Sequence, residues 1–580
     1  MRYDKLSPTL AQAYDEYAQY GKPALASHSQ FLGLVAAEET APRPAKVVAF
    51  FHVAEGTPQN AFAGLGVELN DAEGQVRTGI APLDALDALT ESDAVQRIVP
   101  ARRLKFLMDK AVPRCGVPAL WDCGLSGKGV VVGVVDSGID VRNPAFAKRV
   151  KRIWDQTVTG KGVKEGKYGT EFTGAQMEAS EDRVGHGTHV TGIAAGNDDN
   201  YRGVAYAADI VVVKSTLMTA HIADGIRYVF RVAAGLKKPA VVNLSLGGHG
   251  DGHDGTDSLS QLIDASVGPG RIVCAAAGNE GDFNMHAQVK AAKGSTRTIS
   301  AVVARAEPGF APLATFNGWY SGKDRFAVGV VLPDGTQTPF QAVIENGPPG
   351  REYATPFGLV RVITPGVDPA NGDVNFFVQI EPKAGAPSTP KPNSWKLRLK
   401  AAKVAGKGVV DVWITDESVA LFTGATALDN MKVGSPGCAT EAVTVGSYTT
   451  RNQWDTMLGE IVQTGEPLET VSGFSSEGPR RDGVRKPDLV APGAFIISAL
   501  SSKSPVTPRI LIDAWNRVNA GTSMACPFVS GVVALMLQRD PTLTPAQAKE
   551  ALVKASAIPK KKAMTWDAKW GYGLLDAAKL

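Results

Sequence analysis

The sequence predicts an α/β protein: a parallel-sheet domain that carries an all-β insertion and follows a small α+β unit. Three observations carry this expectation. From 115 to 280, Val-rich runs alternate with helical stretches of small residues. From about 300 to 430 the texture changes to short strands cut by Gly/Pro turns, and after 440 the alternation returns. Alternating strands and helices build parallel sheets covered on both faces, whereas closely spaced short strands build sandwiches.

Taken in order, residues 1–30 read as a polar leader able to hold a short helix. KVVAFFHV (46–53) reads as a strand, LDALDALTESDAV (83–95) has helical spacing, and Arg97-Ile98-Val99 opens another strand. Segment 31–110 is therefore expected as a small α+β domain, joined onward by a basic stretch from Arg102 to Pro113. Segment 111–300 holds buried-strand runs at 130–135, 210–214, 240–246 and 272–277, with helices at 188–195 and 220–234. Segment 301–432 is the β-rich insertion, with strands at 325–332, 359–363, 374–380, 395–400 and 409–414, punctuated by PDG, NGPPG and NGD. Segment 433–580 returns to strands at 441–446 and 488–491 and helices at 523–538 and 546–554. No repeat of fixed period occurs.

Composition excludes several classes. With 61 basic and 58 acidic residues the net charge is +3, too little for a nucleic-acid partner. At 44% hydrophobic and 21% charged the chain is ordinary globular material. No run approaches the ~18 apolar residues of a membrane span, so no membrane partner is expected. The N-terminus lacks an apolar signal region, which points to the cytoplasm, with non-classical secretion as the alternative. The five cysteines are odd in number and sparse, which favours buried reduced thiols; a Cys115–Cys123 bridge is the alternative.

Three segments carry chemistry. In VVVGVVDSGID (130–140), Asp136 ends a Val-rich strand, where open α/β sheets gather ligands. A carboxylate there can orient an imidazole; the competing reading is a strand-end Asp that caps a turn. In GHGTHVTGIAAG (185–196), His186 opens a helix whose small residues allow close packing. His186 and His189 are spaced for a metal, but the HExxH glutamate and a third ligand are missing, so a catalytic base is favoured over a metal ligand or a packed histidine. In AGTSMACPFVSGVVALM (520–536), Ser523 begins a helix, whose free N–H groups and partial positive charge suit an oxyanion. Pro527 falls in the first turn or just past it, and the competing reading of Ser523 is an N-cap.

Asp, His, Ser is one of the known chain orders of a catalytic triad. DSGID, GHGTHVTG and GTSMACP together resemble the three signatures of the subtilisin-like serine proteases, across about 115–280 and 435–580. The resemblance implies a three-layer subtilisin-like domain that hydrolyses peptide bonds through Asp136, His186 and Ser523. AAAGNEG (275–281) is similar to the family's oxyanion segment, which makes Asn279 the side-chain donor beside the Ser523 N–H. NLSLGG (243–248) is similar to the edge strand on which the substrate lies, so Ser245, Leu246 and Gly247 are expected to bind its backbone. Ala276, Ala277 and Gly278 are the implied walls of the P1 pocket, with Glu280 near its rim. FSSEGP…KPDLVAPG (474–493) also resembles the family and reads as structural.

No cofactor is implied. Calcium, which some members hold tightly, lacks its usual support: NDDNYRG (197–203) is short and Ala145 stands where an acid is needed. HGDGHDGTD (249–257) reads as a flexible polar loop at the cleft rim, with a metal site as the alternative. The insertion resembles the jelly roll of a branch that includes the clostridial spore-germination proteases, as do RIWDQT (152–157) and YGTEFT (168–173). Segment 31–110 resembles the family's propeptide, which implies an intramolecular inhibitor processed within 100–115. A protein or peptide is the expected substrate. The rival functions are a silent pseudoprotease used as a sensor, and a binding module built on the insertion, which lacks an aromatic-rich stripe.

Overall fold

The computed structural model describes residues 1–21, 25, 34–35, 45–70, 74–101, 105–106, 113–307, 310–345, 347–415 and 418–580. They form two compact units, one of 1–103, 249–252 and 283–429, the other of 104–248, 253–282 and 430–580. Most of the expected processing stretch, 100–115, lies outside the described residues.

In the first unit, Lys46–Val53 is the middle of a small antiparallel sheet, flanked by Val76–Pro82 and Val95–Pro100. Residues 1–20, expected as a separate leader, contribute to the same core. Helix Pro8–Tyr20, capped by Ser7, buries Leu10, Ala11 and Ala13 with Phe51, Leu86 and Ile98. The apolar positions of that helix are few and short, which is why the stretch reads as polar.

The insertion is a pair of antiparallel sheets. One runs His286–Lys290, Val409–Ile414, Ala314–Tyr320, Val374–Pro382, Gly358–Ile363 and Gly350–Thr355; the other runs Arg325–Val331, Ser394–Lys403, Thr296–Val303 and Ala420–Thr423. Rings from the two sheets meet, Phe316 with Phe422 at 5.6 Å and Tyr320 with Phe326 at 4.9 Å. The unit starts earlier than the expected residue 301. His286–Lys290 pairs with Val409–Ile414, and Thr296–Val303 pairs with Ser394–Lys403. His286–Lys290 and Thr296–Val303 are only partly buried, the latter burying just Ile299, Ala301 and Val303, a one-sided pattern easily taken for a loop when it adjoins a fully buried domain.

The second unit is built on one large sheet. Val150–Asp155, Asp209–Lys214, Val131–Asp136, Ala240–Leu244, Arg271–Ala276, Val443–Thr449 and Leu489–Ala494 lie side by side and parallel. Both faces of Val131–Asp136 are covered, and every residue in it is buried. Val132 and Val134 share a core with helices His186–Ala195 and Thr522–Arg539. On the opposite face Gly133 meets helix Thr219–Gly235 so closely that an added Cβ would lie 2.3 Å from Val229. The result is a three-layer α/β domain, whose strand register sets Asp136 opposite Lys214 at the carboxyl edge. The five thiols are unbridged, Cys123 exposed and the other four buried.

Candidate functional site

The carboxyl edge of the sheet carries Asp136, and His186 is set against it. Asp136 is buried at its strand end, and its Oδ1 accepts the Ser137 N–H at 2.7 Å. That same oxygen lies 2.7 Å from His186 Nδ1. An ionised carboxylate only accepts, so this contact keeps a proton on Nδ1 and makes Nε2 the acceptor nitrogen of the neutral ring. The sequence arranges the approach with Gly187: a Cβ there would lie 2.2 Å from the Gly138 carbonyl oxygen and 3.1 Å from Asp136 Oδ1.

Ser523 is the second residue of helix Thr522–Arg539 and is fully buried. Its hydroxyl donates to the Ser245 carbonyl at 3.0 Å. The Ser245 hydroxyl in turn donates to the Ser523 carbonyl and accepts from Asn243 Nδ2 at 2.9 Å. Pro527 explains why that carbonyl is open. It sits inside the helix, one turn on from Ser523 and just past the first turn, within the expected range. Lacking an N–H, it cannot make the i→i−4 bond to the Ser523 carbonyl.

Asn279 stands on the loop after Arg271–Ala276. Its Oδ1 accepts the Thr522 N–H at 2.8 Å and the Thr522 hydroxyl at 3.1 Å. Two donors converging on one atom identify it as oxygen and turn the amide N–H₂ the other way. Gly278 has φ +120, and a Cβ there would lie 2.5 Å from Ser476 Oγ, so glycine is required at this position. Glu280, expected at a rim, folds onto its own loop: Oε2 accepts the Asn279 N–H at 2.7 Å and the Ser476 hydroxyl at 3.1 Å. Ala277 packs with Val433 and Cys438.

Leu246–Gly247 forms a short antiparallel ladder with Lys105–Phe106. Gly248 continues on the other side, exchanging backbone bonds with Ser435 at 2.9 and 3.1 Å.

Among the described residues no group of three His, Cys, Asp or Glu side chains is arranged to hold a metal. His249, Asp251, His253 and Asp254 are all buried, which corrects the expectation of a flexible polar loop. Asp254 is paired with Arg481, and Asp257 caps helix Ser258–Ser266 through the Leu259 and Ser260 N–H groups. Asp198 accepts the Asn200 and Tyr201 N–H groups, both at 2.8 Å, closing its own turn. His189 is buried beside Arg517, its Nε2–H donating to the Arg517 carbonyl oxygen at 3.1 Å; burial holds its pKa well below the usual histidine value. Sequence reasoning missed Thr522, which meets Asn279 across 243 residues, and Asp182, which meets Ser137 across 45.

A sequence model of Peptidase_S8, the subtilase family, matches residues 127–333 and 385–573. The serine protease AprX of Bacillus subtilis (strain 168) is 34% identical over 152 residues, 25% of this chain and 31% of that protein. Subtilisin-like protease SBT1.3 of Arabidopsis thaliana is 25% identical over 575 residues, 87% of this chain and 66% of that protein. The chain thus spans from about a third to two thirds of the length of these relatives. The structure of the Clostridium perfringens CspB protease shares the fold, with a TM-score of 0.65 at 23% identity over 80% of this chain and 95% of that one.

Proposed function

The chain belongs to the subtilase family, and from that premise we propose that it is a serine endopeptidase, cleaving protein or peptide substrates through an acyl-enzyme. The observation that carries this reading is the 2.7 Å contact of His186 Nδ1 with Asp136 Oδ1 at the carboxyl edge of the sheet.

Ser523 is the nucleophile and His186 the base. The Ser523 O–H turns from the Ser245 carbonyl and gives its proton to Nε2 as Oγ attacks the scissile carbonyl carbon. Asp136 holds the tautomer and stabilises the imidazolium. The Asn279 N–H₂ and the Ser523 backbone N–H receive the oxyanion, and the helix N-terminus favours the same charge. His186 then protonates the leaving amine as the C–N bond breaks, and a water activated by the same nitrogen hydrolyses the ester. Ser245, Leu246 and Gly247 take the substrate backbone as an added strand, with Ala277 and Gly278 along the P1 side chain. The N-terminal segment is the chain's own inhibitor; its support is the pairing of Lys105–Phe106 with Leu246–Gly247, the strand a substrate would use.

A fluorophosphonate probe tests the assignment. Labelling of the processed protein that vanishes in Ser523→Ala is the expected result. Absence of labelling in processed wild-type protein would overturn it in favour of a silent pseudoprotease.

A further inference from the structure

Asp182 lies four residues before His186, is fully buried, and has no place in the chemistry just described. Its Oδ1 accepts the Ser137 hydroxyl at 2.8 Å, the Gly185 N–H at 2.8 Å and the Val184 N–H at 3.2 Å. Its Oδ2 accepts the Thr188 N–H at 2.9 Å and the Thr188 hydroxyl at 2.7 Å. Ser137 follows Asp136 directly, and its Oγ accepts the Gly187 N–H at 2.8 Å while its own N–H donates to Asp136 Oδ1 at 2.7 Å. Thr188 Oγ1 accepts the Asp140 N–H at 2.9 Å. One carboxylate is thus bonded to the chain immediately after Asp136 and to the chain on either side of His186.

We propose that Asp182 is the positioning residue that sets the distance and angle between Asp136 and His186. The inference rests on the proposed proteolytic function, since it assigns Asp182 a part in that reaction. Helix His186–Ala195 has no side-chain cap on its N-cap residue, Gly185, so its first-turn N–H groups must find acceptors elsewhere. Asp182 accepts the Thr188 N–H, Ser137 Oγ accepts the Gly187 N–H, and the Ser137 hydroxyl bonded to Asp182 fastens the helix start to the strand end. Two direct bonds join the strand end and the helix start, Gly187 N–H to Ser137 Oγ at 2.8 Å and Asp140 N–H to Thr188 Oγ1 at 2.9 Å, and Asp182 accepts the hydroxyls of both Ser137 and Thr188, so one carboxylate orients both links.

A carboxylate is required because every partner is a donor. Asparagine offers one acceptor oxygen, and its N–H₂ would face either the Thr188 pair or the Ser137 and Gly185 pair. Repulsion there separates the two elements without touching the substrate strand. Displacement of a reacting group by ~1 Å costs on the order of 10²-fold in rate.

The test uses the full-length protein with three readouts: the low-field proton resonance of His186 Nδ1–H, steady-state kinetics on a peptide substrate, and thermal unfolding. Spectra are recorded in the Ser523→Ala background to prevent self-digestion. Asp182→Asn is expected to shift or abolish the low-field resonance and to lower kcat by about 10²-fold with KM changed less than threefold. Ser137→Ala, which removes a single hydroxyl, is expected to move both readouts the same way by a smaller factor. Its effect should largely disappear when Asp182 is already replaced. Should Asp182→Asn fail to fold, Ser137→Ala decides alone. An unmoved resonance together with unchanged kcat in Ser137→Ala or Asp182→Asn overturns the proposal. The resonance separates this inference from the assignment it rests on. A wild-type protein without peptidase activity but with a resonance that moves in Asp182→Asn would sink the proteolytic reading and leave the positioning role standing.

Discussion

Asn279 Oδ1 accepts both donors of Thr522, the backbone N–H at 2.8 Å and the hydroxyl at 3.1 Å. The amide is therefore aimed by the residue next to Ser523, and its N–H₂ is left for the cleft. Asn279→Leu should lower kcat roughly 10²–10³-fold with little change in KM, the loss known for the corresponding amide of a subtilisin. Thr522→Val removes one of the two bonds and should cost about fivefold in kcat, equivalent to ~1 kcal/mol. Steady-state kinetics on one peptide substrate check both, and a Thr522→Val enzyme with full kcat would show that the backbone bond alone orients the amide.

Gly187→Ala sets two effects against each other. Helix propensity favours alanine by ~1 kcal/mol. The added Cβ would lie 2.2 Å from the Gly138 carbonyl oxygen, and backbone cannot swing aside as a side-chain tip can. The contact should win: a lower Tm and a kcat reduced by about 10²-fold or more, as the helix backs away from Asp136. A raised Tm would mean that the turn at 138 yields.

Acid should destabilise the fold in a range set by buried histidines. Burial holds the His221 imidazole down to about 3, from an ordinary 6.5. Its ring stacks on Tyr168 at 4.1 Å and shares a hydrogen bond with Thr216 at 2.6 Å. The unfolded chain takes up a proton as pH falls through 6.5, and the folded chain resists until about 3. This contribution is complete above 6.5 and is lost on acidification toward 3, at no more than ~1.4 kcal/mol per pH unit. His52, held down to about 4 by burial, acts in the same direction. Urea unfolding between pH 4 and 7 should show a slope smaller by about one proton in His221→Phe, measured in the Ser523→Ala background. An unchanged slope would place the acid sensitivity elsewhere.

Arg97 and Asp368 lie 271 residues apart and form two parallel hydrogen bonds, 2.7 and 2.5 Å, with side chains only 13% and 10% exposed. Arg361 makes a separate link, to Glu16 of helix Pro8–Tyr20 at 3.3 Å. Asp368→Asn strands a buried guanidinium and should cost about 3 kcal/mol or more. Replacing both partners by apolar residues, Arg97→Met with Asp368→Leu, should be milder than either single change. Thermal melts of the four proteins complete the cycle; additive losses would show that the pair is not coupled.

Much of the second unit was legible because its strands are buried on both faces and so appear as unbroken runs of Val, Ile and Ala. The three motif segments were legible for a related reason: glycine and small residues mark places where backbones must approach closely, as at Gly187 and Gly278. What escaped notice depended on the far partner. Asp182 looks like any polar residue before a helix until Ser137 and Thr188 are seen around it. Residues 249–257 look like a solvated loop because their composition is polar, yet Asp254 is neutralised by Arg481, more than two hundred residues away. The insertion's first strands were hidden by one-sided burial, and helix Pro8–Tyr20 by its few apolar positions.

The missing amide hydrogen of Pro527 has an effect one turn away. Because the carbonyl of Ser523 is left over, Ser245 and Ser523 hold each other by a reciprocal clasp, each hydroxyl closing on the other's main chain. In the reaction proposed above, the proton in one half of that clasp, the Ser523 hydroxyl on the Ser245 carbonyl, is the one that leaves. The Ser245 carbonyl would lose that neighbour as the hydroxyl turns toward His186, and its lone pairs would then be open to the amide of a chain laid along the strand. The other half, the Ser245 hydroxyl on the carbonyl that Pro527 leaves open, would stay closed throughout, so one imino acid keeps the strand and the helix together while the nucleophile lets go.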